Sequence, residues 1–580
     1  MVGFTVSGRA TRQYNVPTWE TSVTNPCRRS LLVMPFTRFL RIVVSFGVAV
    51  LFGSLAVPAR AATTTYTSAY AGGTIAPGDR VVLNDGATIT GPITDNGTLQ
   101  FNQTSGTLTM SSTLTGSGTL SLTNAGTLML TGTTVSVGVG LDMTTTVDSG
   151  RLLIGNNGGR TLYLGNTNGG AGTLSINGGY VGNGSSYLGF SAGGQASVTV
   201  SSGTWTNGSF TYVGWDGSGT LDVTGGSVTG VVCSIGRNLG SVGSVTVSGG
   251  TMSYTSNLTV GDGGTGSLTI GNGGLVALRG NLVRGAAGTI SLNAGGTLQI
   301  GTGTNTGVLL GGTGSLANNG TLVFNRSNAS TYTGVLSGSG AVVKLGTGQF
   351  TLGGANSYTG LTTISGGTIA LSGSGSIGTG GLNLGSTGSS GVFDLSALTA
   401  SSYSLPTTGN LAGVGTISGS GKSLAVLGSF LPGNSPGTVT IGSGFTLDLS
   451  QSGTSVFEIT DPAFTAGSYD RVSGSGSVIF GGVLSLAFGG GPYAGGFNVD
   501  QIFANTGGRS GNFSAVNATG LAAGQSAMFD PTTGFITVLP EPSTIALMAS
   551  ASAGLAGMMR WRKRRAAKVV TPPTSDDPIA

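Results

Sequence analysis

Six glycines recur through the middle of this chain at nearly constant spacing. Gly165, Gly189, Gly214, Gly236, Gly261 and Gly285 are separated by 24, 25, 22, 25 and 24 residues. Each closes a short apolar step, as in YLG from Tyr163 and Tyr187 and YVG from Tyr212. A glycine turn, a four-residue alternating strand and a Gly-Gly or Ser-Gly step complete the unit, as in "YLGNTNGGAGTLSINGG". A unit of about 24 residues cannot bury its own apolar face and is stable only when stacked on copies of itself. A propeller blade needs about 40 residues or more. The spacing therefore predicts an all-β parallel solenoid, with coils stacked at about 4.8 Å.

The strand segments "TLSI", "SVTV", "TLDV" and "SLTI" fix which side chains face inward. Leu174 and Ile176, Val198 and Val200, Leu221 and Val223, and Leu268 and Ile270 alternate with Ser, Thr or Asp, so the aliphatic set forms the core. The outward set is Thr173/Ser175, Ser197/Thr199, Thr220/Asp222, Ser244/Thr246, Ser267/Thr269 and Thr289/Ser291. It predicts two parallel hydroxyl columns about 6.8 Å apart. Glycine makes up 111 of the 580 residues and only 7% are charged, which alone would fit disorder. The hydrophobic 38%, spread as short runs between glycine turns, argues for strands instead. No three-residue collagen period is present.

Solenoid repeats are expected over residues 62–437, with regular coils from about Thr98 to Leu427. From residue 438 the spacing changes and Phe480, Phe488, Phe497, Phe503, Phe513 and Phe529 enrich the chain in aromatics. Residues 438–538 read either as a C-terminal β-region that caps the open sheet edge or as further coils.

Both ends differ from the middle. Arg38 and Arg41 precede an apolar stretch from Ile42 to Val57, and Ala59-Arg60-Ala61 is a small-x-small step. These are the three parts of a secretory signal peptide over residues 34–61, with cleavage leaving Ala62 first. Residues 1–33 are polar and patternless, consistent with translation from Met34 or an extended n-region. At the other end, Pro540-Glu541-Pro542 precedes an apolar run from Ile545 to Met559, then Arg560, Arg562, Lys563, Arg564 and Arg565. Fifteen apolar or small residues are short for a bilayer span of about 20, which extension to Leu539 or snorkelling of the basic end relieves. The positive-inside rule would hold the arginines in the cytoplasm. Residues 566–580 are read as a disordered tail.

Two family resemblances follow from these residues. Residues 539–565 resemble the PEP-CTERM sorting signal, which implies recognition by an exosortase-type membrane protease in a Gram-negative bacterium. The segment Ala341 to Leu371 resembles the autotransporter-associated β-strand repeat. It carries Lys344, Gly346 and Gly348, then Gly354-Ala355-Asn356, Tyr358-Thr359-Gly360 and Gly366-Gly367-Thr368. "NGTLQFN" at Asn96 matches "NGTLVFN" at Asn319 and marks a weaker copy over residues 96–132. That resemblance implies a right-handed β-helical passenger segment of a secreted or surface protein. No membrane β-barrel pattern follows it, unlike a complete autotransporter.

The sequence argues against catalysis. Histidine is absent, removing the commonest general base and metal ligand. Glu458 is the only Glu between Ala62 and Leu539, and the Asp residues are scattered singly, unlike the paired acids of glycosidases or the clusters that bind Ca²⁺. Asp461 and Asp470, beside Pro462, read as turn residues. "GDGGTG" at Gly261 occurs once, too little for a repeated Ca²⁺ loop. Of the 24 basic and 19 acidic residues, 13 and 4 lie in the terminal segments, leaving 11 and 15, or about −4, between Ala62 and Leu539. Nucleic acid is therefore not an expected partner. Cys233 is the only cysteine beyond the signal peptide, so no disulfide framework exists, and "VVCSI" places it in the core.

The expected protein is an exported, non-enzymatic structural or adhesive element with no cofactor. It would be anchored in the inner membrane before processing, then placed at the cell surface or in the extracellular matrix. Expected partners are the export translocase, a signal peptidase, an exosortase, and exopolysaccharide or other surface glycans. The alternatives are ice binding, since the hydroxyl columns resemble those of ice-binding solenoids, or polysaccharide binding. A polysaccharide-degrading β-helix enzyme ranks below these.

Overall fold

The computed structural model describes residues 61–131, 138–141, 143–154, 159–310, 314–386, 388–433, 436–463, 465, 467–489, 493, 498–540 and 554–562. In it, most strands pair in parallel with the equivalent strand one coil later. Ala171–Ile176 pairs in register with Gln195–Val200, and the series continues through Ser218–Val223, Val242–Val247, Thr265–Ile270 and Gly288–Leu292. This is the stacking that the glycine spacing predicts, and the fold is an all-β parallel solenoid.

The coils present three faces. The first is an eleven-stranded sheet from Thr63–Tyr66 to Gly288–Leu292. The second runs from Thr107–Met110 to Ala515–Thr519 and is an open ladder. Among the described residues its first strand pairs only with Thr127–Leu130 and its last only with Val483–Phe488. The third is a seven-stranded sheet of shorter strands, from Gly138–Leu141 to Leu282–Arg284. Beyond residue 292 the first face stops and the second continues as a spine, flanked by two new sheets that begin at Ser330–Tyr332 and Ser402–Leu405.

All eight inward aliphatics named above, from Leu174 to Ile270, are fully buried. On the spine, Val181, Trp205, Val228, Met252 and Val276 stack one per coil and are also fully buried. Five anchor glycines, Gly165, Gly189, Gly214, Gly236 and Gly261, have φ between +63° and +76°, a region that L side chains avoid. Gly285 lies outside that region, but a Cβ there would fall on the carbonyl oxygen of Gly261. Close approach between coils is thus the requirement that all six share. Amides bridge coils where the chain turns: Asn102 donates to Asn84 at 2.9 Å, and Asn124 to Asn102 at 2.7 Å.

The stacking extends beyond the regular coils expected from Thr98 to Leu427, at its start into residues 62–97, expected to belong to the solenoid without a regular coil. Thr63–Tyr66 pairs with Arg80–Asn84, and that strand with Thr98–Asn102, in coils of only 17 and 18 residues. These short coils lack the anchor motif, so the 24-residue spacing does not reveal them. At the other end, the chain runs on past residue 438 in further coils, one of the two readings of that stretch. Parallel pairing continues through Thr454–Ile459 and Val483–Phe488 to Ala515–Thr519. Only the last segment has the character of a cap. Asn498–Gln501, Phe535–Leu539 and Ser526–Asp530 form an antiparallel sheet, and Phe529 packs on Phe480, Phe503 and Phe513 with centroids 5.1–5.6 Å apart. Aromatic bulk there closes what would be an open, aggregation-prone end.

Asp470 departs from its reading as a turn residue. Asp461 does cap its own turn, accepting from Ala463 N at 2.9 Å. Asp470 is instead 3% exposed and accepts from Glu458 N at 2.8 Å and Gly437 N at 2.9 Å, bracketing two coil segments. Burial pushes its carboxyl from 3.8 up to about 6, against the pull of those two backbone donors. Between these values the folded chain holds a proton that the unfolded chain has lost, so this group's contribution to stability falls as pH rises through 6. Lowering the pH from 7 to 5 is expected to add about 1 kcal/mol. Urea midpoints at both pH values, for the wild type and Asp470→Asn, check this; equal pH dependence in the two proteins would refute it.

Candidate functional site

The outward hydroxyl columns fall where the sequence puts them. Thr173, Ser197, Thr220, Ser244, Ser267 and Thr289 are register partners in succession, as are Ser175, Thr199, Asp222, Thr246, Thr269 and Ser291. All are half-buried or exposed. The columns continue towards the N-terminus through Thr144 and Thr146 to Thr119 and Ser121. Beyond that they meet Gln100, then Arg80 and Val82. With Asp222, these residues break the array into a polar face of mixed chemistry.

The acids serve the backbone and one another's coils. Asp85 accepts from Thr104 N at 2.9 Å, Asp148 from Asn177 at 2.8 Å and Asp216 from Asn238 at 2.7 Å, each one coil away. Asp262, in the glycine-rich turn that resembled part of a Ca²⁺ loop, pairs with Arg237 and accepts from Ser234 Oγ at 3.1 Å. Among the described residues, no three Asp, Glu or Cys side chains gather in a metal-binding group. Cys233 is fully buried and its thiol is pushed up to about 12 by burial, so it stays protonated and unreactive.

The repeat at residues 341–371 proves to be a device for joining coils. Lys344 occupies an inward strand position normally given to an aliphatic residue and is 1% exposed. Its Nζ donates to the carbonyls of Leu345, of Gly346 at 2.8 Å and of Gly366 in the next coil at 3.3 Å. Burial lowers its pKa to about 8, so it remains charged at neutral pH. Asn356 accepts from Leu336 N in the preceding coil at 2.8 Å and donates to Ser376 O in the following one at 2.6 Å. Tyr358 is fully buried, with its hydroxyl 2.8 Å from Thr362 Oγ1. Cβ atoms at Gly354 and Gly360 would fall on the carbonyls of Gly334 and Gly340. Each of these motif residues is thus occupied by the fold itself.

Residues 342–371 match the passenger-associated-transport-repeat family model. No curated protein matches the chain.

The sequence reading missed a surface on the third face. Tyr163, Tyr187 and Tyr212, the residues that open three successive repeat units, are register partners, with Tyr163 buried beneath its neighbours and Tyr187 and Tyr212 half-buried. Tyr163 and Tyr187 have centroids 5.2 Å apart, and Tyr187 and Tyr212 are 4.8 Å apart. Phe190 packs on Tyr163 at 4.5 Å, and Trp215 packs on Tyr187 at 4.8 Å and on Tyr212 at 4.6 Å, the closest of these edge-on. Phe210 stacks on Tyr212 at 5.6 Å. The signal is present as YLG, YLG, YVG, but in sequence each tyrosine stands only as the step before its glycine, with nothing to show that the three align. The next coil replaces tyrosine with Ser234, beside the Arg237–Asp262 ion pair.

A cavity of about 510 Å³ lies near the turns after the second face, lined by Ser256, Asn257, Asn281, Asn305, Arg279 and Arg326. Arg326 forms its wall: the guanidinium donates to Asn305 O at 3.1 Å and Asn328 Oδ1 at 2.8 Å, and to Gly307 O. Arg279 is exposed.

The expected processing sites divide between described and undescribed residues. Ala61 and Ala62 begin the described chain, and Ala59 lies outside it. Ala62 is bonded into the first coil: its N–H donates to Asp79 Oδ1 at 2.8 Å and its carbonyl accepts from Arg80 N at 2.7 Å. Pro540 is buried directly after the last strand. Glu541, Pro542, Lys563, Arg564 and Arg565 lie outside the described residues. Arg560 and Arg562 belong to an exposed helix over 554–562. Among the described residues, no helix is long and apolar enough to cross a membrane.

Proposed function

We propose that this chain, a parallel β-solenoid carrying a passenger-associated-transport-repeat, is an exported structural or adhesive element of the cell envelope or extracellular matrix. The observation that carries this reading is that the repeat's polar and aromatic residues are consumed in joining coils, leaving the exposed faces as its functional surface. The matched repeat supports export. The coil is taken as right-handed by analogy with that repeat's family and with the usual hand of parallel crossovers. Attachment of producing cells to a surface and to one another, compared with cells lacking the protein, tests the role. Unchanged attachment and unchanged matrix would sink it.

Processing at both ends belongs to the same proposal. A signal peptidase cuts after Ala61, and an exosortase-type protease removes the Arg560 to Arg565 cluster after the Pro540-Glu541-Pro542 signal has been read at the inner membrane. The bonds that tie Ala62 into the first coil support the first cut, since the coil is complete from that residue on. Cleavage would turn the Ala62 amide into an α-ammonium facing Asp79, an exposed ion pair worth under about 1 kcal/mol. Burial of Pro540 favours a second cut at Glu541 or beyond. Mass spectrometry of the surface form is expected to find Ala62 first and no Arg564-Arg565. An intact tail would leave a plain membrane anchor.

A further inference from the structure

We infer that the aromatic column of the third face, Tyr163, Tyr187 and Tyr212 with Phe190, Phe210 and Trp215, is a binding track for a neutral, linear glycan. This names a ligand for the adhesive surface proposed above and rests on that reading. The rings form a single file that advances 4.8–5.2 Å per coil, about the length of one pyranose unit. Sugar rings present apolar C–H faces to aromatic surfaces and hydroxyls at their edges. Both complements are present. The rings are flanked on one side by Asp216, Asn238 and Arg237, which supply acceptors and donors. Among the described residues, the hydroxyls of Tyr187 and Tyr212 have no hydrogen-bond partner.

The rings are also held in advance of binding. Each tyrosine is fixed by its strand's register and by the edge of Phe190 or Trp215, so little side-chain freedom is lost when a ligand arrives. Their size argues against the rival occupant, a protein. An aromatic side chain buries roughly 150–250 Å² when fully covered. Here Tyr163 is 8% exposed and Phe210 40%, because the rings already cover one another. What remains open falls well short of the roughly 800 Å² per partner of a stable protein interface. A narrow chain of sugars needs no more. Asp262 neutralises Arg237 and Asp216 adds a carboxylate, so the end of the track has no spare positive charge, which favours a neutral glycan over a polyuronate.

The test is isothermal titration calorimetry of the full-length protein with cellohexaose, maltohexaose and hexagalacturonate. One of the two neutral hexaoses is expected to bind more tightly than the uronate. Tyr187→Ala and Trp215→Ala are each expected to weaken that binding by about tenfold or more, while Tyr187→Phe retains it to within about threefold. If either alanine variant is unfolded by circular dichroism, Phe210→Ala carries the test, with a loss of about threefold expected from the most exposed ring. Absence of binding to both neutral hexaoses overturns the inference, as does preference for the uronate. Binding that is unchanged in the Tyr187→Ala and Trp215→Ala variants overturns the track while leaving adhesion intact. Sedimentation that shows Tyr187→Ala converting a dimer to monomers would assign the column to a second copy instead. The adhesive reading fails only in the cell-attachment comparison, so the two failures are distinguishable.

Discussion

Gly236→Ala is expected to destabilise the protein by about 3 kcal/mol or more, and Gly240→Ala, four residues away in the same turn, by about 1–2 kcal/mol. Both glycines sit in the left-handed region, at φ +67° and +86°, so both substitutions carry the same local strain. They differ in what lies above them. A Cβ at Gly240 meets nothing within 4 Å, whereas at Gly236 it would fall on the carbonyl oxygen of Thr265 in the next coil. Relieving that overlap means parting two coils whose strands, Val242–Val247 and Thr265–Ile270, are hydrogen-bonded in register. The cost therefore includes overpacking and weakened ladder bonds as well as backbone strain. Urea denaturation followed by circular dichroism reads the difference. Because a solenoid's stability is a sum over neighbouring coils, the Gly236→Ala transition is also expected to broaden or split. Equal losses for the two variants would mean that positive φ alone, and not coil contact, selects the anchor glycines.

Lys344→Met is expected to cost about 3 kcal/mol or more, and Lys422→Met about 1 kcal/mol or less. Both ammonium groups donate to backbone carbonyls, Lys422 to Leu398 O at 2.7 Å and Ala400 O at 3.1 Å. Lys422 is half-buried and water can replace it. Lys344 is sealed in the core, and its removal takes the donor from three carbonyls in two coils at once. Methionine fills the volume but cannot donate, so the loss measures the hydrogen bonds rather than a cavity. Thermal melts at pH 7 of the two variants beside the wild type check the ranking. A Lys344→Met protein as stable as the wild type would show that the lysine of this repeat is dispensable for coil joining.

The difference between these lysines shows what a single sequence conceals. "AVVKL" alternates, and position 344 falls on the inward phase with Val342. Polarity alone would put a lysine on the opposite face, because an unpaired buried charge is costly. What reverses the choice is the carbonyl of Gly366, which is 22 residues away in sequence and adjacent in space. The tyrosine column has the same character. Each YLG or YVG step is legible, but the file of rings exists only once Tyr163, Tyr187 and Tyr212 are brought into register.

The sequence by itself determined the fold class, the coil length of the central repeats, the anchor glycines, the inward aliphatics and the two hydroxyl columns. These are set by local alternation and by a period that repeats within a few tens of residues. Tertiary structure alone decided how short the first coils are, where stacking ends, which polar groups are spent on coil joining and which aromatics meet. Asp470 bracketing Gly437 and Glu458, and the short coils from Thr63, belong to that second set. The reason is that in a parallel solenoid each strand's hydrogen-bond partners lie one full coil away. A residue's environment is therefore fixed by register between coils of unequal length, 17 to 29 residues on the first face, and not by its neighbours in the chain.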